Sequence, residues 1–213
     1  MKLKILLLSI MCLLLFQGNS CTNEFKGHEG ELSTEELWWN GLNDTWKELC
    51  LRESGHLGEQ INTEILNEIL NLEGFSLDFY PIDKNNLKPL EMLVHLKQVS
   101  AGNTQVTDLS SLGKLPLLTY INIPNTPIHD LTPLRNLKNL EEIYIQQSQI
   151  SDLKPLSEAI NLQVIMFHET GITSLEPIMN LPKLSIINLG KTKVPQEEIE
   201  AFSLAHPHCE IHQ

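Results

Sequence analysis

The sequence predicts an α/β solenoid with a parallel concave sheet, short 3₁₀ or helical turns on the convex side, and a helical cap at the N-terminal end. Three observations carry this. Between Leu96 and Val194 the chain repeats itself every 22 residues, with leucines at Leu96, Leu118, Leu140, Leu162 and Leu184. Further apolar columns keep the same register through Val99, Ile121, Ile143, Ile165 and Ile187, and through Val106, Ile128, Ile150, Ile172 and Val194. A fixed period of this length marks a stack in which each repeat buries its apolar side against its neighbours. Ahead of the stack, Trp38, Leu42, Trp46 and Leu49 recur at three- and four-residue spacing, as one face of a helix does.

Residues 1–20 are set apart from the fold. Lys2 and Lys4 precede the apolar run from Ile5 to Phe16, 12 residues long. A bilayer-spanning helix takes about 20, so this is the pattern of a secretory signal removed on maturation. Ser20-Cys21 directly after the run resembles the lipobox of bacterial lipoproteins, with Gly18 where Leu is usual. That resemblance implies a lipid on Cys21 as the chain's one link to a membrane. It places the protein in the cell envelope as an outer-membrane lipoprotein or, without the lipid, in the periplasm or medium. Residues 21–33 are polar and glycine-bearing and read as a flexible tether.

Residues 34–73 read as the N-terminal cap. Ser33 or Thr34 opens a helix to Arg52, with Glu35 and Glu36 in its first turn. After Ser54-Gly55-His56-Leu57-Gly58, Asn62 or Thr63 opens a second helix ending near Gly74. Residues 74–195 hold one degenerate coil and about five clear ones. Stepping back 22 from the first clear coil puts Leu77, Phe79, Leu87, Leu90 and Leu93 on core positions. Residues 196–213 read as a C-terminal cap.

Within each coil, Leu-x-x-Ile-x-Ile alternates as a short strand does. The column Thr104, Thr126, Ser148, Thr170, Thr192 follows the strand, and its hydroxyls are expected to run from coil to coil and satisfy buried backbone. Asp108, Asp130, Asp152 and Ser174 then stand ahead of a turn that carries Pro133, Pro155 and Pro177 in three of its four copies. A capping residue followed by a first-turn proline, with about ten residues for the return path, predicts a 3₁₀ or single helical turn. The combined pattern resembles the 22-residue leucine-rich repeats of bacteria typified by internalins, over residues 74–195. The resemblance implies a concave strand face as the binding surface.

By alternation that face includes Tyr120, Asn122, Glu142, Tyr144, Gln146, Val164, Met166, His168, Ile186 and Asn188. A solvated strand face need not be apolar, and exposed apolar groups gathered in one place mark interaction sites, with Tyr enriched at hot spots. A protein or peptide ligand is therefore expected here, against the plainer reading of a solvated or self-associated face.

Chemistry finds little support. Lys+Arg total 15 against Asp+Glu 27, a net charge of -12, and no basic patch is visible, which argues against nucleic acid. No phosphate loop, serine elbow or zinc-protease helix occurs, so the chain reads as non-enzymatic, with no cofactor. His206, His208, Cys209 and His212 could supply soft-metal ligands, but they sit at a chain end and read better as cap. Cys50 and Cys209 flank the repeats, so about five coils at ~4.8 Å separate them. A disulfide needs Cα atoms within about 7 Å, and both thiols are expected free and buried in the two caps. A second reading of the whole chain is a structural envelope spacer without a selective ligand.

Overall fold

The computed structural model describes residues 24–25, 31–82 and 86–213. The expected signal segment, the expected lipid site at Cys21 and most of the expected tether lie outside the described residues. Phe25, inside that tether, is docked: its N–H donates to Asn40 Oδ1 at 2.8 Å and its carbonyl accepts from Asn40 Nδ2 at 3.3 Å.

The described residues form a parallel sheet of seven strands in sequential order. These are β1 (Gly74–Ser76), β2 (Gln98–Ser100), β3 (Tyr120–Asn122), β4 (Glu142–Tyr144), β5 (Val164–Met166), β6 (Ile186–Asn188) and β7 (Glu210–His212). From β1 to β6 the middle residue of each strand is buried and its two neighbours are not. That is the period-two pattern of a sheet with one face on the core. A single apolar core runs from Trp39 to Phe202 through every coil.

The residues that follow each strand are bonded from coil to coil through the backbone and not through the hydroxyl column. The amides of Ala101, Ile123, Ile145, Phe167 and Leu189 each donate to the neighbouring coil, at 2.8 to 2.9 Å. The hydroxyls of Thr104, Thr126, Ser148, Thr170 and Thr192 instead donate to the carbonyl three residues earlier in their own coil, at 2.6 to 2.8 Å. The expected ladder is thus a set of closed turns. The cause is the residue before each hydroxyl: Asn103, Asn125, Gln147, Glu169 and Lys191 all have φ between 51 and 58°. This left-handed kink turns the chain back over its own strand carbonyl and brings the hydroxyl within reach.

On the convex side, 3₁₀ turns span Lys88–Met92, Leu112–Lys114, Thr132–Leu134, Lys154–Leu156 and Glu176–Ile178. The side chains of Asp108, Asp130, Asp152 and Ser174 each accept the amide two residues on, at 2.7 to 3.1 Å. In the last turn Glu198, from the helix α4 (Gln196–Ala205), also accepts from the Leu175 and Glu176 amides.

At the N-terminal end the expected single helix is two: α1 (Thr34–Gly41) and α2 (Asp44–Glu53). Leu42 is extended, and Asn43 accepts the Trp46 amide at 2.9 Å, so a new cap interrupts the periodic pattern. The break changes the buried face: Trp39 and Trp46 are 0% and 2% exposed, and Trp38 is only partly buried. The helix α3 (Thr63–Leu70) starts at Asn62, which accepts the Ile65 amide. Trp46 packs on Phe75 of β1 with ring centroids 5.9 Å apart.

The expected register of the first coil fails in an instructive way. The first coil is offset by 24 residues, with Phe75 opposite Val99. Phe75 and Leu77 therefore fill the core, and Phe79 falls on the left-handed turn at φ 64° and is 76% exposed. At the other end, β7 adds a strand inside the expected C-terminal cap.

The outer edge of β1 is closed by side chains. The Ser76 amide donates to Glu53 Oε2 at 3.0 Å, and its carbonyl accepts Arg52 Nη2 at 2.7 Å. Arg52 and Glu53 are themselves paired at 2.8 Å.

Candidate functional site: the concave sheet

All ten candidate residues lie together. Tyr120 and Asn122 end β3, Glu142 and Tyr144 end β4, Val164 and Met166 end β5, and Ile186 and Asn188 end β6. Gln146 and His168 stand two residues past β4 and β5. The register pairs Tyr120 with Glu142, Asn122 with Tyr144, Val164 with Ile186 and Met166 with Asn188. Parallel strands lie about 4.8 Å apart, so the ten side chains form a continuous half-buried surface.

Its centre is aromatic. The rings of Tyr120 and Tyr144 have centroids 5.3 Å apart and planes inclined by 43°. The Tyr144 hydroxyl donates to Glu142 Oε2 at 2.7 Å. Burial, and then the adjacent Glu142 carboxylate accepting that proton, push the Tyr144 phenol up to about 12. Tyr120 is also raised, by burial first and then by the negative charges of Glu142 and Asp78. Both phenols are thus neutral donors at physiological pH.

To one side of this centre the face is polar and bonded to itself. Asp78 accepts the Ser100 hydroxyl at 2.7 Å and the Gly102 amide at 2.6 Å, and Asn122 Nδ2 donates to Ser100 Oγ at 3.0 Å. Asp78 went unseen in the sequence because the first coil is two residues longer than the others. The alternation Phe75-x-Leu77, which matches Val99-x-Ala101, was the signal that could have revealed it.

On the other side the face is apolar, with Val164, Met166 and Ile186 in adjacent positions. Beside them, Gln146 Oε1 and His168 Nδ1 are buried without a hydrogen-bond partner among the described residues. A buried acceptor without a donor costs about 1–3 kcal/mol, so this side has a polar demand that its own coils leave open.

The soft-ligand cluster at the C terminus is dispersed. His206 stacks on Phe202 at 4.4 Å and holds the Met179 carbonyl at 2.8 Å. His212 faces Glu210 at 3.2 Å. Among the described residues no group of three or more His, Cys, Asp or Glu is placed to hold a metal ion. Both thiols are free, Cys50 buried as expected and Cys209 only half-buried, beside β7.

These coils define a leucine-rich-repeat solenoid. A family model for two copies of leucine-rich repeats matches residues 94–136. Among solved structures, the chain is similar to internalin C2 of Listeria monocytogenes at 30% identity, covering 60% of this chain and 56% of that one, with a TM-score of 0.55. A second internalin of that organism matches at 23% identity over 71% of this chain and 44% of its own, with a TM-score of 0.61. A leucine-rich-repeat protein of Leptospira interrogans matches at 24% identity over 84% and 45%, with a TM-score of 0.63. The chain spans about half the length of these relatives. No curated protein sequence matches it.

Proposed function

We propose that the chain is a non-enzymatic binding module of the bacterial envelope that takes a protein or peptide on its concave sheet. The observation that carries this is the pairing of an apolar strand face, Val164, Met166 and Ile186, with the unpartnered Gln146 Oε1 and His168 Nδ1 beside it. A merely solvated face has no use for a half-buried aliphatic cluster, and a partner would supply both the remaining apolar cover and the missing hydrogen bonds. Leucine-rich-repeat proteins generally bind proteins, which agrees with this reading. Export follows from the leader, and a lipid on Cys21 would hold the module at the outer membrane. Intact-mass analysis of the mature N-terminus tests the anchor. Pull-down from envelope extract tests the binding: a saturable partner lost in Tyr120→Ala and Tyr144→Ala supports it, and capture unaffected by both substitutions overturns it.

A further inference from the structure

The charge on the concave face is unbalanced, and the imbalance is local. Asp78 and Glu142 both stand on it, and neither forms an ion pair among the described residues, where Glu53, Glu73, Glu91, Glu158 and Glu169 each hold a Lys or Arg. No Lys or Arg occupies an inward-facing position of β1 to β7. Among the described residues every Lys and Arg lies outside the strands.

The fold also contains a worked instance of what such a site accepts. At the cap, the Arg52 guanidinium sits 4.4 Å from the Tyr80 ring centroid while pairing with Glu53 at 2.8 Å. Tyrosine face and glutamate together hold a cation there. Tyr120, Tyr144 and Glu142 repeat that combination with one more ring. A cation is attracted within about 6 Å of a ring centroid, and two centroids 5.3 Å apart can both meet one such cation. Glu142 lies on β4 two residues before Tyr144, opposite Tyr120 by register and accepting the Tyr144 hydroxyl.

We propose that Tyr120, Tyr144 and Glu142 receive the lysine or arginine side chain of a basic partner segment, whose neighbouring apolar residue covers Val164, Met166 and Ile186. This rests on the concave-binding reading and narrows it to a ligand class. From Glu142 to Ile186 is two strand spacings, about 10 Å, or about three residues of extended ligand. The recognised segment is therefore a cationic residue with an aliphatic one two or three positions away. The surplus of acid over base in the whole chain favours the encounter with such a segment.

The test uses the purified full chain and three probe peptides, acetyl-Gly-Lys-Gly-Leu-Gly-amide, its norleucine counterpart, and its Nε-acetyllysine counterpart, with the tyrosine ring signals followed by NMR. The lysine peptide is expected to shift the Tyr120 and Tyr144 signals saturably, about three- to tenfold more tightly than either neutral peptide. Glu142→Gln keeps an acceptor for the Tyr144 hydroxyl and is expected to abolish that difference. Equal affinity of all three peptides, with Glu142→Gln without effect, overturns the cation site and leaves concave binding standing. Silence of both rings at millimolar lysine peptide also overturns it, and the envelope pull-down then decides the broader reading separately.

Discussion

The two halves of the solenoid use the same strand and the same turn, and they differ in what their polar groups bind. In the N-terminal half, Asp78, Ser100, the Gly102 amide and Asn122 are bonded to one another, and Arg52, Glu53, Tyr80 and Ser76 form a second closed set. In the C-terminal half, Gln146 and His168 keep buried atoms without partners beside an aliphatic patch. Identical scaffolding thus separates structural polarity from available polarity. A residue that is satisfied within the solenoid contributes to folding, and one that is not is held ready for something else.

The sharpest way to break this contrast is through stability. Asp78→Ala removes the acceptor of two donors, the Ser100 hydroxyl and the Gly102 amide, and is expected to cost about 2–3 kcal/mol in urea denaturation. Met166→Ser on the opposite half is expected to cost less than about 1 kcal/mol. Equal losses would mean that the halves are not different in kind. Affinity should move the other way: Tyr120→Ala and Tyr144→Ala are each expected to weaken the captured partner by about 1–3 kcal/mol, while Ser100→Ala leaves it unchanged.

A smaller effect lies in the phenols. With Tyr144 raised to about 12 from an ordinary 10.0, the folded protein keeps a proton that the unfolded chain releases. Stability from this group is therefore present below pH 10 and declines as pH rises toward 12. Spectrophotometric titration should show the late phenol, and Glu142→Gln should bring it down; an ordinary titration of every tyrosine would remove the electrostatic link between Glu142 and the rings. The smallest expected effect is in thiol labelling of the native protein. Cys50, pushed up to about 12 by burial and then by Glu53, should stay unlabelled. Cys209, raised by a partial burial, should react slowly. Reaction of both at one rate would contradict the sealed N-terminal end.

The strand face was legible in the sequence because a period of 22 fixes every coil once one is placed. Tyr120, Tyr144, Val164, Met166 and Ile186 were reachable by alternation alone. What escaped was anything that depended on a break in the rule. Two extra residues in the first coil moved Phe75 into the core and Phe79 out of it, and concealed Asp78. Leu42 and Asn43 stopped a helix whose apolar spacing ran on, so Trp39 took the buried place expected of Trp38. The hydroxyl column was recognised, but its direction was set by the left-handed residue before it, and Gln147, Glu169 and Lys191 give no compositional hint of that conformation.

The Arg52–Glu53 pair also bears on polymerisation. A stack of short in-register parallel strands is a template for its own growth, because each edge offers the hydrogen bonds the next strand requires. At β1 the outward amide and carbonyl of Ser76 are both occupied by side chains that cannot propagate a sheet. The pair therefore acts as a chain terminator, keeping the array from nucleating edge-to-edge fibres at its N-terminal end.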